Sequence, residues 1–447
     1  MVTYNTYTLR NGLRIIHRPS VAQVVYCGYQ IAAGTRHELP GEEGIAHFCE
    51  HMTFKGTEHR NAMQIINSLE QLGGDLNAFT NKEDTTFYCA IQKEHIGKAV
   101  SLLTDIVFSS TYPQHEIDKE VEVICDEIES YNDSPAELIY DEFENMLFKG
   151  HPLGHNILGD AEQLRKYKTE DALRFVRRNY RPDNAVFFIY GDVEFKKIVK
   201  ALSSGAFTQG SGAFAMHPQD NKGIFNPLGI ANADINSSCI TNAAERNTAE
   251  RNTAERNEAE RRGTEQNTIV REIGSHQAHV MIGTVAYDIH HPLRIPLYLL
   301  NNILGGPGMN ARLNLALRER NGLVYTVEST MVNYSDTGMW SIYFGCDPHD
   351  INKCLRLVRR ELDKVMQKSL STSCLRTAKQ QLKGQIAIAC DNREQFALDF
   401  GKSFLHYGWE KNVDRLFENI DKVTAGDIQK VANELFAADR LKALIFK

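Results

Sequence analysis

Residues 47–51 read His-Phe-Cys-Glu-His. Histidines four apart on a helix lie one above the other on one face. Both imidazoles can then converge on one Zn²⁺ at about 2.0–2.1 Å. Glu50, three residues after His47, lies on or beside that face. A carboxylate there can hold the water on a bound zinc and take its proton, because zinc lowers that water's pKa to about 7. This is the H-E-x-x-H arrangement in inverted order. The chain has 16 His and 57 acidic residues among 447. The pattern then arises by chance fewer than about 0.1 times in such a chain. The expected chemistry is metal-assisted hydrolysis at a carbonyl, with His47 and His51 as ligands and Glu50 as general base.

A catalytic zinc takes a third protein ligand and keeps one open position. The helix expected from about His115 to Tyr131 offers Glu116, Asp118, Glu120, Glu122, Asp126, Glu127 and Glu129. Glu120, Ile124 and Glu127 recur at i, i+4, i+7, and carboxylates sharing a face with an isoleucine can point inward. Spacing alone does not choose between Glu127 and its neighbours. Cys49 points off the His face. His151 and His155 sit in a Pro/Gly loop with no helical frame for ligation.

The elements that must hold these residues are readable around them. Thr6–Leu9 and Leu13–His17 flank Asn11-Gly12, a hairpin signal because both residues tolerate positive φ. Val24–Ala33 is a third strand, and Pro40–Gly44 breaks the chain before the His47 helix. A helix over Ala62–Leu72 ends at Gly73-Gly74. Strands follow over Asp75–Thr80 and Thr85–Ile91, and then helices over Glu94–Phe108 and His115–Tyr131. Ser134-Pro135-Ala136-Glu137 predicts a capping box opening another helix. Thr169–Asn179 is helical and Ala185–Tyr190 is a buried strand. From Ala244 an Ala-Glu-Arg-Asn-Thr unit repeats with period five and no apolar face, which predicts a solvated, unstructured insertion. The second half repeats the first: strand Ala278–Ala286, helices Leu293–Leu304 and Ala311–Arg320, strands Tyr325–Val332 and Thr337–Phe344. Helices around Asn352–Gln367 and Ser371–Cys390 follow, with a last strand over Leu441–Phe446. The expected fold is α+β, two similar domains at 1–203 and 269–447 joined by a linker with the repeat insertion at 204–268.

Composition narrows the function. Hydrophobic residues make up 42% of the chain, enough for sizeable cores. The net charge of −7 argues against a nucleic-acid partner. No apolar run reaches the roughly 18–20 residues of a membrane span, and no signal-peptide pattern opens the chain. Nine cysteines without a C-x-x-C pair read as reduced thiols, and the expected location is cytoplasmic.

The stretch His47–Thr57, His-Phe-Cys-Glu-His-Met-Thr-Phe-Lys-Gly-Thr, resembles the inverzincins of the pitrilysin, insulysin and mitochondrial-processing-peptidase family. Ala33–Arg36, Gly73–Thr80, the Gly305–Gly308 loop and Leu317–Tyr325 fit the same family. The resemblance covers nearly the whole chain except about 204–268, where the insertion is longer and more repetitive than the usual linker. It implies a third ligand 76 residues past the second histidine, which is Glu127, and a supporting glutamate seven residues earlier, Glu120. It also implies that Arg318 and Tyr325 bind substrate and stabilise the reacting carbonyl. Each half would be an antiparallel sheet with helices on one side. Four such domains enclose a chamber in the family. This chain supplies two, so the resemblance implies a homodimer, or a heterodimer with a related subunit, in which Arg318 and Tyr325 complete the partner's site. One zinc per chain and a peptide or unfolded polypeptide substrate are expected. The edge strand Asn77, Ala78, Phe79 and Thr80 would take the substrate by strand addition. The rival reading is a non-catalytic scaffold subunit, which the family also contains but which lacks parts of the motif.

Overall fold

Asn11 and Gly12 turn the chain as expected: Gly12 has φ +89°, and Leu9 N–H bonds the Leu13 carbonyl at 2.9 Å. In the computed structural model, which describes residues 4–204 and 267–447, this hairpin joins β1 (Asn5–Thr8) to β2 (Arg14–Pro19). With β3 (Val24–Ile31), β4 (Asp75–Thr80), β5 (Thr85–Gln92) and β6 (Ala185–Gly191) they form a sheet in the order β1-β2-β6-β3-β5-β4. The helices of this half are α1 (Ile45–Thr53), α2 (Ala62–Glu70), α3 (Ile96–Phe108), α4 (Gln114–Asn132), α5 (Pro135–Leu147), α6 (Ala161–Leu164), α7 (Thr169–Asn179) and α8 (Phe195–Ser204). The five-residue repeat and nearly all of the 204–268 linker lie outside the described residues.

The second sheet contains β7 (Thr268–Arg271), β8 (Ala278–Ala286), β9 (Val324–Asn333), β10 (Gly338–Cys346) and β11 (Lys442–Phe446), in the order β7-β11-β8-β10-β9. Its helices are α9 (Arg294–Gly305), α10 (Ile351–Gln367), α11 (Thr372–Ala389), α12 (Arg393–Tyr407), α13 (Val413–Lys422) and α14 (Ala425–Leu435). Strand for strand this matches β2-β6-β3-β5-β4. In each half the last strand inserts between two early ones, β6 between β2 and β3 and β11 between β7 and β8. That makes β2/β6 and β7/β11 parallel pairs within otherwise antiparallel sheets.

Each sheet buries both faces, which is why Ala185–Gly191 reads as a continuous apolar run. Phe187 and Ile189 face the core under α1 and α3. Val186 and Phe188 face the other way, onto Phe396 and Phe400 of α12 from the second half. The exchange is reciprocal: Ile139 and Phe143 of α5 cover Met281, Leu444 and Phe446 of the second sheet. Phe143 and Phe400 are fully buried, and burial of each contributes roughly 2–3 kcal/mol to holding the halves together. The helices of each half thus lie on one side of its own sheet, except the one that crosses to the other.

Three local expectations change. Ser134 opens α5, but its hydroxyl makes no cap bond. At ψ 88° it leaves the extended conformation that aims an N-cap side chain at the first turn. Its carbonyl instead accepts from Glu137 and Leu138 N–H. The helix expected over Ala311–Arg320 is a widened π turn over Asn314–Glu319, a form that recurs at functional sites. Finally, α12, α13 and α14 fill residues 393–435, where the sequence pattern predicts no element.

Candidate metal centre

Gly44 starts α1 in the left-handed region, at φ +86°. A Cβ there would lie 2.7 Å from the Gly159 Cα, so both the turn and the close approach require glycine. The orphan N–H groups of the first turn find a carboxylate: Glu38 accepts from Gly44 N at 3.0 Å and Ala46 N at 2.9 Å. His155 Nε2 meets the same carboxylate at 2.9 Å, so the His151–His155 loop braces the metal helix without reaching its face. Cys49 points away, its Sγ toward the Ala172 carbonyl at 3.9 Å.

On the opposite side of α1, the His47 and His51 rings meet edge to face with centroids 4.6 Å apart and planes at 64°. Helix α4 presents Glu120, the buried Ile124 and Glu127 to them. Glu127 lies 4.0 Å from His47 Nε2 and 3.5 Å from His51 Nε2. Glu120 accepts from His51 Nδ1 at 3.1 Å and pairs with Lys55. Three other carboxylates of α4 have partners elsewhere: Glu116 pairs with Lys119, Glu122 with Arg165, and Asp118 accepts from Gln114 Nε2.

Two imidazole nitrogens and a carboxylate oxygen, all within 4.8 Å of one another, are a zinc donor set. Bonds of about 2.05 Å in tetrahedral geometry put ligand atoms about 3.4 Å apart, close to the separations from Glu127. The proton on His51 Nδ1 is fixed by Glu120, which leaves Nε2 as the lone-pair donor. Burial, with the charge of His51 adding to it, pushes His47 down to about 3, which favours the neutral ring with a free lone pair. For His51 burial favours the neutral ring, but the Glu120 bond and the charges of Glu50, Glu127 and Glu120 outweigh it and push its pKa up. Burial also raises the Glu50 carboxyl, although Thr80 and His51 offset part of this. A raised carboxyl pKa makes a stronger base.

The remaining expected residues fall in two places. β4 is the open edge of the first sheet, with Asn77, Ala78 and Phe79 half-buried along it. Thr80 is different: it is buried, and its hydroxyl donates to Glu50 at 2.6 Å. Arg318 lies on the π turn, and Tyr325 is 83% exposed on β9, the open edge of the second sheet. Among the described residues no hydrogen bond or ion pair links either to the His47 cluster. The Thr80–Glu50 and His155–Glu38 contacts join residues 30 and 117 positions apart and carry no sequence signal of their own.

Residues 14–161 match the family profile described as Insulinase (Peptidase family M16), and residues 166–382 match the Peptidase M16 inactive domain. A relative from Rickettsia bellii, named an uncharacterized zinc protease, is 30% identical over 99% of this chain and 97% of its own. The chain belongs to the insulinase family of peptidases. A zinc protease of Bacillus subtilis is 29% identical over 98% of this chain and 97% of its own. The mitochondrial-processing peptidase β subunit of Bos taurus is 27% identical over 95% of this chain and 80% of its own. In fold, the chain is similar to a protease from Helicobacter pylori, with a TM-score of 0.83 at 20% identity and full coverage of both chains. The inactive-domain match takes in the whole of α9 and the π turn. Among the described residues the second half offers no metal cluster beside that of His47, His51 and Glu127.

Proposed function

We propose that this family member is a zinc endopeptidase acting on peptides or unfolded polypeptide segments inside a closed chamber. The observation that carries the reading is the convergence of His47, His51 and Glu127 to within 4.8 Å, beside a buried carboxylate at Glu50. His47, His51 and Glu127 would hold one zinc per chain, and Glu120 orients His51. The zinc would supply Lewis acidity, polarising the scissile carbonyl and acidifying water. Glu50 takes the proton of the attacking water and passes it to the leaving amine. The edge of β4 at Asn77, Ala78 and Phe79 pairs with the substrate backbone, so recognition is broad in sequence.

Arg318 and Tyr325 complete the site of another copy. Tyr325 is too exposed to be a packing residue, and a phenol and a guanidinium suit the developing oxyanion. A homodimer follows, although a related subunit could supply the same half. The free thiols of the described cysteines suit the cytoplasm. No helix among the described residues is long and apolar enough to cross a membrane.

Glu50→Gln is expected to abolish peptide hydrolysis while zinc stays bound. Full activity in that variant would sink the assignment of the base. Mixing an inactive His51→Ala chain with an inactive Tyr325→Phe chain is expected to restore activity. Confirmed mixed dimers without activity would rule out sharing between subunits.

A further inference from the structure

We propose that Thr80 is a positioning residue for Glu50, itself held in register by the second half of the chain. The proposal rests on Glu50 being the base. Glu50 and Thr80 are each 8% exposed, and the Thr80 hydroxyl donates to Glu50 Oε2 at 2.6 Å. An ionised carboxylate only accepts and a hydroxyl has one proton, so the direction of this bond is fixed. The adjacent Thr85 hydroxyl, 3.3 Å away, donates to the Ala33 carbonyl at 2.7 Å. It therefore anchors the strand rather than competing for Glu50. Among the described residues no donor reaches Glu50 Oε1. One carboxylate oxygen is thus pinned and the other is left to take a proton.

The strand that carries Thr80 is tied down immediately beyond it. Asn81 Nδ2 donates to Asp84 Oδ1 at 2.9 Å, and Asn81 N–H to the Asp84 carbonyl at 2.8 Å. The Asp84 side chain is 1% exposed, and its Oδ2 accepts from Lys402 Nζ at 2.8 Å and His406 Nε2 at 3.0 Å. Both partners stand on α12. The neighbouring Glu83 accepts from Arg36 at 2.6 Å and from the Ser335 hydroxyl at 2.7 Å, at the β9–β10 turn. A buried carboxylate that accepts three bonds, two of them on one oxygen, holds its hairpin stiffly. A continuous run of bonds therefore leads from α12 through Asp84, Asn81 and Thr80 to Glu50. A base displaced by about 1 Å can lose about a hundredfold in rate.

The test measures kcat and KM on an unstructured fluorogenic peptide with the zinc-loaded full chain, and zinc content in parallel. Thr80→Val is expected to lower kcat roughly 10- to 100-fold with KM and zinc content unchanged, and Thr80→Ser to recover most of it. Thr80→Ala, read the same way, serves if the valine variant does not fold. In the metal-free protein, the infrared carboxylate band assigned by difference against Glu50→Gln is expected to shift in Thr80→Val. Lys402→Met is expected to lower kcat as well. Arg14→Met, which frees the same helix at the Phe404 and Leu405 carbonyls away from the turn, is expected to leave kcat unchanged. Wild-type kcat and an unmoved band in Thr80→Val, with Glu50→Gln inactive, overturn this proposal alone. Activity in Glu50→Gln overturns the base assignment and this proposal with it.

Discussion

Helices α1 and α9 hold equivalent places in the two halves. Each follows the second strand of its topology and packs beside the edge strand, β4 or β9. Their polar residues have opposite fates. On α9, Asn301 is buried and spent: its Oδ1 accepts from Trp340 Nε1 at 3.0 Å and from the Ser329 hydroxyl at 2.7 Å, and its Nδ2 donates to the Ser329 carbonyl at 3.0 Å. On α1, His47 Nδ1 is buried without a partner. Its Nε2 and that of His51 meet only Glu127 across 3.5 to 4.0 Å. Asn301 has its polar atoms satisfied and so stabilises a core. Helix α1 leaves donors converging with room for a cation between them. The same topology brings metal-type donors together on one helix and buries a satisfied amide on the other, so what each helix can do follows its side chains and not the fold.

That contrast can be broken at several points. The largest effect is expected at Tyr325, on the half that lacks a metal cluster. Tyr325→Phe is predicted to lower kcat by about 10²- to 10³-fold, as loss of an oxyanion donor does, with zinc content intact by metal analysis. Zinc loss in that variant would place Tyr325 in the wrong role. Glu120→Gln is next. It leaves His51 less well oriented, and zinc affinity by competitive titration is predicted to fall about 10- to 100-fold. Asn301→Ala is expected to cost about 2 kcal/mol in denaturant unfolding, because Trp340 and Ser329 lose a buried partner. Its activity per folded molecule should match wild type, and a selective loss of activity would erase the distinction between α1 and α9.

The smallest effect concerns Asp84. Burial opposes its charge, but the His406 bond and Lys402 outweigh this and hold its carboxyl well below the usual range. A depressed folded pKa stabilises the fold fully above the unfolded value of about 3.9, and that stabilisation is lost only as pH falls through the folded value. Thermal melts of wild type and Asp84→Asn should therefore differ most near neutral pH and converge in strong acid. A gap that widens on acidification would contradict the pairing.

The sequence makes some of this visible and hides the rest for physical reasons. The His47–His51 spacing stands out because a four-residue interval coincides with one helical turn. The i, i+4, i+7 face of α4 is equally local, but the choice of Glu127 needed the family resemblance, because nothing local ranks carboxylates on one helix. The doubled topology was readable from its repeated order of strands and helices. Helix α12 was not. Its buried apolar residues, Phe396, Ala397, Leu398, Phe400 and Leu405, bunch over the first sheet and do not recur as one regular stripe. Thr80 was legible as part of an edge strand, but its bond to Glu50 joins two elements and leaves no trace in spacing. The crossing of α5 and α12 is hidden in the same way, since each helix buries its apolar face against a sheet more than a hundred residues away.

On the proposed reading, one zinc held by His47, His51 and Glu127 makes this chain a peptidase. Zinc content and cleavage of an unstructured peptide library, measured together on wild type and on His47→Ala/His51→Ala, test it most directly. The expected result is one zinc per wild-type chain, hydrolysis lost to a chelator and restored by zinc, and neither zinc nor hydrolysis in the double variant. Hydrolysis that survives chelation, or a double variant that keeps its zinc, would contradict it.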